Sequence, residues 1–123
     1  MELVYDSDKG ESMIVEVRSY RIAPGRRAEF IEFFKTRAIP ALREHGMKVV
    51  GPMIDTENPN KAVWLRMFDS IEERTRLKKL FYEGEPWKSE MEGVVMPMLD
   101  SYDVILCETV PGMVVEGFLE NEQ

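Results

Sequence analysis

Apolar and polar positions change period along this chain in a fixed order. Residues 13–22 alternate and are rich in β-branched side chains, which predicts a first strand. Ala23-Pro24-Gly25 turns the chain, because proline presets φ and glycine accepts a positive one. From about 26 to 45 the period becomes helical. Ile31, Phe34, Ala38 and Leu42 fall on one stripe, which Phe30 and Phe33 widen. Pro40 lies inside this stretch and removes a backbone donor, so a kink or break is expected there, and Gly46 closes the helix. Strands follow over about 47–54 and 61–68, joined by the polar loop 55–59. Ser70 and Glu73 have capping-box spacing and open a second long helix. That helix is expected to turn Ile71, Leu77, Leu80 and Phe81 inward and to stop at Gly84. Pro86 suits the first turn of a short further helix carrying Trp87, Met91 and Val94 or Val95, and a last strand is expected over about 101–108.

The order β-α-β-β-α-β, with short connections and right-handed crossovers, leads to an α+β ferredoxin-like fold. Its four strands form one antiparallel sheet with the helices on one face and strands 1 and 3 at the centre. Residues 1–12 read as a leader, 13–108 as the folded domain and 109–123 as a C-terminal tail.

Strand alternation divides the side chains between two faces. Val15, Val17, Val63, Leu65 and Met67 are aliphatic and are expected to face the helices. Glu16, Arg18, Tyr20, Trp64, Arg66 and Phe68 then fall on the face the helices leave open. Three aromatics there would expose on the order of 500 Å², more than a monomer usually leaves wet. A second copy of the sheet is the expected cover, giving a homodimeric α/β barrel whose cavity these six residues line. Glu16 brings one negative charge, and Arg18 and Arg66 bring two positive ones. An anionic small molecule or a partner carboxylate would complete that balance, since a guanidinium grips carboxylates with two parallel bonds. The plainer alternative is that these charges neutralise one another or reach to the barrel mouth.

Composition narrows the remaining classes. The chain has 123 residues, the size of one domain. Its 23 acidic and 16 basic residues give a net charge of −7, which repels nucleic acid and anionic membrane. No apolar run approaches the roughly 20 residues of a membrane span, and the acidic N-terminal stretch lacks signal-peptide character, so a cytoplasmic protein is expected. Cys107 is the only cysteine and His45 the only histidine, which argues against a disulfide or a Cys/His metal site. His45 ends the first helix, where capping is the simpler role than general base or haem ligand. Cys107 reads as a small buried hydrophobe, and the nine methionines read as gap fillers. No P-loop, dinucleotide fingerprint or nucleophile elbow is present, so no cofactor is expected.

The segment Val15-Glu16-Val17-Arg18-Ser19-Tyr20, running on to Pro24-Gly25, resembles the opening of the NIPSNAP family. Glu44-His45-Gly46 with Val49-Val50-Gly51, then residues 60–70, then Pro86-Trp87, match in the family's order. The similarity spans about residues 13–108. The resemblance implies a dimeric α/β barrel of ferredoxin-like protomers, a superfamily that includes cofactor-free monooxygenases, small isomerases and lyases, and haem-binding enzymes. Fold membership does not decide among these chemistries. The first expectation is a ligand-binding or scaffold protein. The second is a cofactor-free enzyme acting on a small aromatic or carbonyl compound, with Arg18 and Arg66 positioning an anion and Tyr20 donating a hydrogen bond or proton. Haem binding through His45 is a third.

Overall fold

A computed structural model describes residues 12–112. Most of the expected leader and of the expected tail lies outside the described residues. Strand β1 (Ile14–Ile22) leads into α1 (Arg27–Phe33), which passes through a π-helical turn (Phe34–Ala38) into α2 (Ile39–Glu44). Strands β2 (Lys48–Ile54) and β3 (Lys61–Phe68) form a hairpin, followed by α3 (Ile71–Tyr82). A second π-helical turn (Pro86–Met91), the short α4 (Glu92–Val95) and a 3₁₀ turn (Met96–Met98) deliver the chain to β4 (Leu99–Glu108). The sheet order is β2-β3-β1-β4 and every pairing is antiparallel. This is the ferredoxin-like arrangement expected, with β1 and β3 central. Pairing of β1 with β4 extends past the strand ends, where Met13 N donates to Thr109 Oγ1 (2.8 Å) and Thr109 N to the Met13 carbonyl (2.9 Å).

Local chemistry sets the element ends. Ser70 Oγ accepts from Glu73 N at 3.0 Å and starts α3, while the Glu73 carboxylate turns forward to Arg76. Gly46, at φ +92°, closes the first helix, and Met47 N donates back to the Leu42 carbonyl. Pro40 does not break that helix. The Ile39 amide bonds the Phe34 carbonyl five residues back, so the hydrogen-bond ladder is already offset where the ring enters, and the chain stays helical.

The two sheet faces are the reverse of the expectation. Glu16, Arg18, Tyr20, Trp64, Arg66 and Phe68 are all buried beneath this chain's own helices. The Tyr20 ring lies 5.8 Å from Phe30, and Trp64 lies 5.0 Å from Phe34. Val15, Val17, Val63 and Leu65 are only half-buried, on the outer face, with Met67 buried among them. Alternation separates the two sets but cannot say which one the helices cover, because both contain enough apolar surface to be buried. The inward faces of the helices decide. Helix α1 and its π turn offer Phe30 and Phe34, whose rings stack at 4.6 Å and match bulky aromatics. Helix α3 turns Arg74, Leu77, Lys78 and Phe81 inward and leaves Ile71 and Leu80 exposed, contrary to the expected stripe. Two inward cations need a buried carboxylate opposite them, and Glu16 is the sole acidic residue of β1, β2 and β3.

Strand β4 is an edge that the helices do not reach. Tyr102, Val104 and Leu106 share the helix side with Tyr20, Arg18 and Glu16, yet remain exposed. Ile105 and Cys107 point to the outer face. Cys107 is half-buried there rather than part of the core.

Candidate functional site

Glu16 organises the centre of the helix-covered face. Its Oε1 accepts from Arg18 Nη1 at 2.5 Å and from Arg66 Nε at 2.6 Å. Its Oε2 accepts from Arg74 Nε at 2.6 Å, with Lys78 Nζ at 3.6 Å. Strand register supplies the first pair: Glu16 sits directly opposite Arg66 on β3, and Arg18 is two residues along the same strand. Helix spacing supplies the second, since Arg74 and Lys78 lie one turn apart on α3. Burial alone would raise the Glu16 carboxyl. The Arg66 charge and hydrogen bond, the Arg74 hydrogen bond and the Arg18 charge outweigh it and hold the group at about 2. The carboxylate is therefore ionised throughout the neutral range. Four cations against one buried carboxylate leave a surplus of three positive charges.

A pocket of about 360 Å³ adjoins this cluster, between the sheet and the helices. Arg18, Tyr20, Trp64 and Arg66 form its sheet wall, and Lys78, Tyr82 and Trp87 face them from the helical side. Half-exposed Tyr102 and Met96 stand toward the β4 edge, with exposed Glu92 also lining the pocket. Cations and rings are layered together. The Arg18 guanidinium lies 5.4 Å from the Trp64 ring and 5.7 Å from Tyr102, and Arg66 lies 5.5 Å from Trp64 and 5.4 Å from Tyr82. Arg66 also donates from Nη1 to the Tyr82 hydroxyl at 2.8 Å. Its Nη2 is buried without a hydrogen-bond partner among the described residues, and so is Trp64 Nε1. Buried donors are rarely left this way, because the lost solvation is not recovered.

Of the six residues expected to share a cavity, Arg18, Tyr20, Trp64 and Arg66 line this one. The cavity lies under the chain's own helices, not between two sheets. Glu16 stands behind the wall as counter-ion, and Phe68 packs beneath Arg66, 6.0 Å from its guanidinium, without reaching the pocket. Sequence reasoning missed Arg74, Lys78, Tyr82 and Tyr102. The available signal was the stripe Arg74, Leu77, Lys78 and Phe81, which places two cations on the inward side of α3. His45 does not line the pocket. Its Nδ1 lies 2.9 Å from the Ala41 carbonyl at the end of α2, and its ring meets Phe81 edge-on at 5.3 Å, the helix-capping role.

The comparison with family models decides the kinship: the NIPSNAP model matches residues 15–104. The chain belongs to the NIPSNAP family. Solved NIPSNAP structures share its fold. One from Agrobacterium tumefaciens, of unknown function, is 17% identical with a TM-score of 0.75, covering 83% of this chain and 92% of its own. A NIPSNAP-like domain protein from Burkholderia xenovorans is 22% identical with a TM-score of 0.75, covering 84% and 89%. Beyond the family, a candidate antibiotic biosynthesis monooxygenase from Nitrosomonas europaea superposes with a TM-score of 0.64 at 10% identity, covering 89% and 95%. At these identities the likeness concerns fold. No curated protein matches the chain. Among the described residues no cluster of His, Cys, Asp and Glu is arranged for a metal ion, and no helix is long and apolar enough to cross a membrane.

Proposed function

We propose that this NIPSNAP-family protein binds a small anionic molecule in the pocket between its sheet and its helices, and does so as a cytoplasmic homodimer. The observation that carries the reading is the surplus of cations around buried Glu16, two of them buried and two partly exposed, beside a pocket whose wall includes Arg66 with an unpartnered Nη2. Unbalanced buried charge is costly, and a ligand anion offsets it. Lys78 gives the cleanest test, because its side chain is 31% exposed and its removal leaves the Glu16 bonds to three arginines in place. Calorimetric titration with small organic acids should show binding that weakens at least several-fold in Lys78→Met and with rising salt. Acids that bind neither protein, or both equally, would end this reading.

The dimer reading rests on the outer sheet face. Val15, Val17, Val50, Val63 and Leu65 are half-buried there, and Met53 and Ile105 are exposed. An aliphatic surface spanning four strands is the kind that a second copy covers. The single thiol, Cys107, suits a reducing compartment.

A cofactor-free enzyme is the second reading, and Tyr20 is the observation in its favour. Burial pushes its phenol up, with the Arg18 charge pulling the other way, so the hydroxyl stays protonated at neutral pH. It accepts from Arg18 Nε at 3.1 Å and keeps its own proton to donate to a ligand oxygen.

A further inference from the structure

The pocket walls carry more information than their charge. Rings approach from four separate elements: Tyr20 from β1, Phe34 from the first π turn, Trp64 from β3 and Tyr82 from α3, with Trp87 beyond them. They form two sets, which the Arg66 guanidinium bridges. Trp64 meets Tyr20 at 6.0 Å and Phe34 at 5.0 Å, both edge-on, and Tyr82 meets Trp87 edge-on at 5.1 Å. Edge-on contact keeps these rings from covering one another's faces, while Phe30 stacks on Phe34 from the core side. The guanidinium groups of Arg18 and Arg66 lie against the same rings. The cations and the aromatic walls therefore adjoin one another in the same pocket.

We infer that the ligand is a planar aromatic carboxylate, its acid group on Arg66 and Lys78 and its ring between the aromatic walls. This rests on the anion reading above and adds the shape of the ligand body. In such an ion the carboxylate lies near the ring plane, so one flat body meets the aromatic rings and the free Arg66 Nη2 together. A saturated acid of equal charge fills the same space with out-of-plane hydrogens and loses the face contacts. The pocket volume suits one or two fused rings, at the small end of ligand sites. Trp64 Nε1, buried and unpartnered, is a donor for a second ligand oxygen, so a ring carrying a hydroxyl or keto group satisfies both orphan donors.

The chain's only two tryptophans, Trp64 and Trp87, both line this pocket, so intrinsic fluorescence reports its occupancy. The full chain would be titrated with 2-naphthoate, decahydro-2-naphthoate and 2-naphthamide, by fluorescence and calorimetry. The expected result is naphthoate binding about 10-fold or more tighter than its saturated counterpart, the amide weaker by a similar factor, and naphthoate weakened in Lys78→Met. Equal affinity for the two acids would overturn the aromatic inference and leave the anion reading standing. Equal affinity for acid and amide, or no binding of any of the three, would overturn both.

Discussion

Replacing Glu16 with glutamine removes one negative charge from a site holding four positive ones and changes almost no volume. Three arginine bonds converge on this carboxylate at 2.5–2.6 Å, and its side chain is fully buried. The carboxyl sits at about 2 in the folded chain against an ordinary value of 4.5, a gap worth about 3 kcal/mol of stability at neutral pH. The sign follows from the lowered value: the contribution is complete above about pH 4.5 and disappears as pH falls through about 2. Glutamine also turns an amide donor toward groups that are themselves donors. Removing one partner of a buried ion pair costs about 3–5 kcal/mol, which for a chain this size lowers Tm by about 12–20 °C. Urea unfolding of wild type and Glu16→Gln between pH 7 and pH 3 measures both effects. The variant should be less stable by that amount at pH 7 and should lack the steepest part of the wild-type acid loss. Added naphthoate should raise the Tm of the variant more than that of the wild type, because the surplus grows from three charges to four. A variant within about 1 kcal/mol of wild type at pH 7, or one retaining the full acid slope, would refute this account of the cluster.

Three further perturbations probe separate parts of the structure. Gly51 sits at φ +108° in β2, and a Cβ there would lie 3.1 Å from Trp64 Cβ; Gly51→Ala should destabilise by about 1–3 kcal/mol in urea, and a neutral result would contradict this packing of the pocket wall. Lys78 is lowered from 10.5 by burial foremost and by the Arg74, Arg66 and Arg18 charges, against the pull of Glu16. Naphthoate affinity measured against pH should therefore fall in a step beginning below pH 10.5 in wild type, and Lys78→Met should lack that step. Ile105 is 62% exposed on the outer face opposite Val17. Ile105→Lys should sediment as a folded monomer where wild type sediments as a dimer, and a monomeric wild type at micromolar concentration would remove the dimer reading.

Element order and strand pairing were legible because each rests on local chemistry. The alternation of residues 13–22, the turn at Pro24-Gly25 and the Ser70 cap each act within a few residues. The strand β3 bounds and the central position of β1 and β3 follow from the same signals. Face assignment was not legible from strands alone, since Val15-Val17-Val63-Leu65 and Tyr20-Trp64-Phe68 are both apolar enough to bury. It depended on a long-range match between the one carboxylate of β1, β2 and β3 and two cations on α3, which no window of neighbouring residues contains. The residues named for the site nevertheless fell together, because the period of two keeps Glu16, Arg18, Tyr20, Trp64 and Arg66 on one side whichever side that is. The helix around Pro40 shows the opposite case: a strong local signal was absorbed by a small change of helical pitch, which has no sequence mark of its own.

The most direct test of the central claim is a crystal structure grown with 6-bromo-2-naphthoate, using the anomalous signal of bromine to place the ligand. The bromine should lie under the helices near Trp64 and Trp87, with the carboxylate against Arg66 and Lys78. Bromine on the outer sheet face, or a pocket closed by its own side chains in the presence of the acid, would contradict it.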